Sequence, residues 1–118
     1  MRTTQTVISA FAAAAVLAAA PAHAADPAYV GTWAGDLGQC KIAQDRQEAP
    51  LILSKDSYDQ HEAHCTFKTV DGKDSEFTVT SSCLVEGDQQ PYDFKLTISG
   101  DTLTVTDDTG ARDLLKCK

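Results

Sequence analysis

A chain of 118 residues with 17 acidic and ten basic side chains carries a formal charge of −7. That balance repels nucleic acid and anionic lipid and favours cationic partners. It contains no phosphate loop, G-x-S-x-G elbow or C-x-x-C pair, so nucleotide, serine-hydrolase and thiol-redox chemistry have no foothold.

Residues 1–24 read as an export signal. Arg2 supplies the basic start, Val7 to Ala20 an Ala-rich apolar run, and Ala22-His23-Ala24 the small-x-small pattern that precedes cleavage. The run is shorter than the roughly 20 residues a membrane-spanning helix requires. Cleavage before Ala25 leaves residues 25–118, expected to form a single domain in the periplasm or outside the cell. No cysteine stands near the cut to carry a lipid, so no membrane anchor is expected. Only 34 of these 94 residues are apolar, a thin complement for a core. All four cysteines, Cys40, Cys65, Cys83 and Cys117, lie in this part, and an even count in an exported domain reads as two disulfides. Each bridge contributes about 3–4 kcal/mol for loops of this size, comparable to the whole stability of a small domain.

From residue 29 onward the pattern is strands and turns. Tyr29 to Ala34 forms the first strand; Asp36 to Glu48 is polar and loop-like, with room for one helical turn over Ala43 to Glu48. Pro50 introduces the apolar Leu51-Ile52-Leu53, and Asp56-Ser57 turns the chain. Tyr58 to Val70 reads as one extended segment ending in a turn at Asp71-Gly72-Lys73. Phe77, Val79, Cys83 and Val85 then share one parity, before a break at Gly87 to Pro91. Phe94, Leu96 and Ile98 alternate with polar residues, as do Leu103 and Val105, with turns at Gly100-Asp101 and Asp107 to Gly110. Ala111 to Cys117 closes the chain, with Leu115 and Cys117 on one face, expected to point inward. Period-two alternation with short turns predicts an all-β antiparallel meander of seven or eight strands. Such a sheet hides its edges by closing, so a small, disulfide-braced up-and-down barrel is expected.

Gly31-Thr32-Trp33 resembles the G-x-W that opens the first strand of calycin-type barrels, the lipocalin and avidin group. That resemblance implies a barrel in which a basic residue near the end of the last strand packs over the tryptophan, and Arg112 is the matching position. The short G-x-W strand followed by Cys40 and Cys65 is similar to the small periplasmic inhibitors of secreted metalloproteases, eight-stranded calycin-type barrels with one disulfide. A second cysteine pair sets this chain apart from them.

Other motifs weigh less. His61-Glu62-Ala63-His64-Cys65 contains zinc-ligand types, but on one extended strand His61 and His64 point to opposite faces. Asp108-Thr109-Gly110 copies the aspartic-protease triplet, yet it stands where a hairpin needs Asp and Gly, and one short chain offers a single copy. The acidic turns lack the spacing of a calcium loop. No catalytic residue, metal or cofactor is expected.

The expectation is a monomeric, non-catalytic binding module with a cationic protein or a protease as partner. A small-ligand carrier and an envelope protein without a discrete site are its alternatives, and a small hydrolase or metal enzyme using His61 or His64 is the rival from another class. In a meander, near neighbours in sequence come together, which favours Cys40–Cys65 and Cys83–Cys117 among the three possible pairings.

Overall fold

The computed structural model describes residues 25–118 together with Thr3, so the expected export signal otherwise lies outside the described residues. Eight antiparallel strands close into a barrel in simple up-and-down order. They are β1 (Gly31–Ala34), β2 (Leu51–Leu53), β3 (Ser57–Gln60), β4 (Ala63–Lys73), β5 (Glu76–Val85), β6 (Asp88–Ser99), β7 (Thr102–Asp107) and β8 (Gly110–Lys116), with one 3₁₀ turn at Leu37–Gln39. The barrel closes where Trp33 and Ala34 of β1 pair with Lys116 and Leu115 of β8.

The alternation read from the sequence sorts side chains as expected over β5, β6 and β7. Phe77, Val79, Cys83, Phe94, Leu96, Leu103 and Val105 are buried, joining Trp33, Leu51, Leu53, Tyr58, Cys65 and Leu114. These side chains point into the barrel, whose eight strands enclose an interior about wide enough for side chains to occupy. Among the described residues Ser81 is the one buried polar residue, and its hydroxyl donates to the Tyr92 carbonyl at 2.7 Å.

One end is plugged from inside the chain. Tyr29, just before β1, lies edge-on to Phe77 with centroids 4.9 Å apart, and its hydroxyl donates to the Lys55 carbonyl at 2.8 Å. The Trp33 indole N–H donates to the Tyr29 carbonyl at 2.8 Å, fastening plug to barrel. The other end, framed by the 35–50 loop and the β3–β4, β5–β6 and β7–β8 turns, is the mouth.

Several local expectations are corrected. The segment Tyr58 to Val70 is two strands, because His61 takes a left-handed conformation (φ 51°) and folds Gln60, Asp59 and Tyr58 back onto Ala63, His64 and Cys65. The following turn falls at Asp74-Ser75, beyond Gly72, which stays in β4 with φ 134°. A Cβ on Gly72 would overlap the Glu76 carbonyl oxygen, so glycine there permits the close strand approach. Residues 88–91 belong to β6 and only Glu86-Gly87 turns. Pro91 is tolerated because Ile98 aims its N–H at Ser75 on the β5 side. By alternation, Pro91's missing N–H falls on the opposite side, where β6 has run past its Lys95–Ser99 pairing with β7. Ala43 to Glu48 forms turns rather than a helical turn.

The disulfides join Cys40 to Cys117 and Cys65 to Cys83, correcting the expected Cys40–Cys65 and Cys83–Cys117 pairing. Barrel closure explains the first bridge. β8 lies against β1, the Cys117 N–H donates to the Thr32 carbonyl at 2.8 Å, and the loop leaving β1 passes beside it. The second bridge links directly opposed residues of β4 and β5, with Cα atoms 3.9 Å apart, and it faces the interior. The last strand also has the opposite parity to that expected: Leu114 points inward and Leu115 outward.

Candidate binding site

Three strands bring aromatic and polar side chains together at the mouth. β3 contributes Tyr58 and Gln60, β6 contributes Tyr92, and β8 contributes Arg112. A concavity of about 260 Å³ opens here, floored by the Cys65–Cys83 bridge and walled by Tyr58, Tyr92, Pro91 and Val85. Tyr58 and Tyr92 meet edge-to-face at 6.0 Å, and Tyr92 stacks on Phe94 at 4.8 Å. Edge-to-face pairs add about 0.5–1.5 kcal/mol beyond burial, which fixes the walls.

Hydrogen bonds hold the phenols in place. The Arg112 guanidinium donates to the Tyr58 hydroxyl at 2.5 Å and to Gln60 Oε1 at 3.3 Å. Tyr92 donates to Asp107 Oδ2 at 2.6 Å. The Thr109 hydroxyl and N–H donate to Asp107 Oδ1 at 2.5 and 2.9 Å. Donation from the Thr109 hydroxyl first, then from Tyr92 and the Thr109 N–H, lowers the Asp107 pKa to about 2. Tyr92 is pushed well above the ordinary phenol range, first by burial and then by its bond to Asp107. Burial raises Tyr58 as well, with the charge of Arg112 opposing. Neutral phenols and an ionised carboxylate therefore persist across physiological pH.

The charge around this end is one-sided. Glu62 stands in the β3–β4 turn, Glu86 and Asp88 at the β5–β6 turn, and Asp107 and Asp108 at the β7–β8 turn. Arg112 is the basic side chain among them.

Of the residues singled out in the sequence, Gly31 and Trp33 lie at the plugged end, where Trp33 is fully buried. The cation over its ring is Lys116, 5.7 Å from the centroid, in place of the expected Arg112. The register is the reason. Lys116 pairs directly with Trp33, whereas Arg112 pairs with Val105 and reaches the mouth. The histidines take separate partners. His61 Nδ1 is 3.1 Å from the Gln44 carbonyl oxygen, and His64 Nδ1 is 2.8 Å from Asp59 Oδ1. Among the described residues no three His, Cys, Asp or Glu side chains are placed to hold a metal ion. Asp108-Thr109 is the β7–β8 hairpin turn, and Gly110 opens β8 opposite Asp107.

Sequence reading did not find the cluster of Tyr58, Gln60, Tyr92 and Asp107. Its members are up to 49 positions apart, and only closure of the barrel collects them. Compared with protein-family models, characterised proteins and solved structures, the chain gives no match.

Proposed function

We propose that this chain is an exported, non-catalytic protein-binding module, inhibitor-like in mode, whose barrel mouth takes a cationic partner in the periplasm. The observation that carries the reading is the mouth itself: a small aromatic concavity, rigidly hydrogen-bonded and ringed by carboxylates. Tyrosine and arginine are enriched at the energetic centres of protein interfaces, and a surrounding field of one sign steers an oppositely charged partner. The apolar interior weighs against a lipocalin-like carrier, since Leu51, Leu96 and Leu103 point into it fully buried, as in a barrel whose side chains occupy its centre. Two disulfides suit an oxidising compartment.

The test is capture from envelope extract with the oxidised protein, in parallel with Tyr92→Ala and Arg112→Ala. A basic protein retained at low salt, released at high salt and lost with both variants is the expected result. Equal retention by the variants, or a co-purifying small molecule in place of a protein, would overturn the reading.

A further inference from the structure

A second concavity lies away from the mouth, on the outer wall where the 35–50 loop folds back beside the end of β8. It measures about 640 Å³. Its apolar surface comes from Leu37 on the 3₁₀ turn, 58% exposed, and Leu115 on β8, 39% exposed, with Cys40 of the outer disulfide beside them. Its polar edge is basic: Lys41, Lys116 and Lys118 line it, against one acidic side chain, Asp101, which is paired with Lys118 at 3.2 Å. Three of the nine basic side chains in residues 25–118 thus converge on one groove of a strongly acidic protein.

We infer that this groove binds a free single-chain amphiphile with an anionic head, a fatty-acid-type carboxylate. The head lies among Lys41, Lys116 and Lys118, and the chain lies along Leu37 and Leu115. Charge complementarity selects an anion, because the groove lining is net positive while the chain as a whole is negative. The exposed leucines select an apolar tail, because covering them removes apolar surface from water. Concavity selects a single molecule over a flat membrane surface, and the charge of the whole chain opposes approach to an anionic bilayer. The groove is independent of the mouth, as it shares no lining residue with it.

Trp33 gives a direct readout, being the one tryptophan in the chain, with Lys116 above its ring. Dodecanoate, kept below its micelle concentration, is titrated into the oxidised protein while Trp33 fluorescence and calorimetric heat are followed. Saturable one-to-one binding is expected, weakened at least tenfold in Lys41→Glu with Lys118→Glu, weakened in Leu115→Ser, and unchanged in Tyr92→Ala. A dodecyl trimethylammonium cation should not compete. The inference is overturned by no binding, by binding unaffected in the lysine variants, or by equal binding of the cation. Loss of binding in Tyr92→Ala alone, or binding only to vesicles containing anionic lipid, would overturn it too.

Discussion

Three tyrosines mark the two ends of the barrel, and all three have phenol pKa values above the ordinary 10. Burial is the first cause in each case. Asp56 adds to it at Tyr29, and the bond to Asp107 adds to it at Tyr92. A group whose folded pKa is raised stabilises the fold fully below its unfolded pKa, and that contribution is lost as pH rises toward the folded value. The native protein should therefore show less tyrosinate absorbance at pH 10 than the same chain in denaturant, which titrates near 10. A native step near pH 10 equal to one tyrosine would show that one of the three is free. At the acid side the sign reverses for Asp107, whose pKa is lowered to about 2. Its contribution is complete above the unfolded value of 3.8 and disappears as pH falls through about 2. Asp107→Asn should accordingly remove part of the acid dependence of stability between pH 4 and 2, measured by urea midpoints. It should also release Tyr92 toward a normal phenol pKa.

The two disulfides act on different elements. Cys40–Cys117 staples the loop after β1 to the end of β8 across 77 residues, and both cysteines are partly exposed. Cys65–Cys83 crosses a β4–β5 pair over 18 residues, with each cysteine 3% exposed. Mild reductant should open Cys40–Cys117 first under native conditions, read by alkylation and peptide mapping. By chain entropy the longer bridge contributes about 4.5 kcal/mol and the shorter about 3. Cys40→Ala with Cys117→Ala should thus lower stability more, and it should red-shift Trp33 fluorescence because β8 carries the Lys116 that covers the ring. Equal accessibility of both bridges to reductant would contradict this assignment. The strands from β5 to β7 were legible in the sequence because one wet face and one dry face impose a period of two on Phe77, Val79, Phe94, Leu96, Leu103 and Val105. The pairing of cysteines was not, because Cys40 meets Cys117 only through closure of β1 on β8, a contact between opposite ends of the meander. The same closure hid the cation over Trp33. Position 112 suits the G-x-W resemblance by its place in the last strand, but one strand pairing, Trp33 with Lys116, decides which base covers the indole. The hidden hairpin at His61 rests on a single left-handed residue without a glycine to announce it.

Across the whole molecule, charge is segregated along the barrel. The mouth gathers Glu62, Glu86, Asp88, Asp107 and Asp108, while the plugged end alternates Lys55 with Asp56, and Lys73 with Asp74 and Glu76, next to the lysine groove. An eleven-residue strand such as β4 rises roughly 3.4 Å per residue before its tilt, so the two ends lie well over one Debye length apart, about 10 Å at 0.1 M salt. Each end therefore presents its own field to an approaching partner, and net charge alone does not describe the surface. Two double variants separate placement from total charge. Glu62→Lys with Asp108→Lys changes the mouth; Asp56→Lys with Asp71→Lys makes the same change in net charge toward the plugged end. All four side chains are exposed and none has a positive φ, so both variants should fold with stability close to the parent. Association with polylysine at low ionic strength should slow severalfold for the mouth variant and little for the other, and the difference should vanish at high salt. Equal slowing by both would mean that total charge governs encounter, which would remove the electrostatic support for a cationic partner at the mouth.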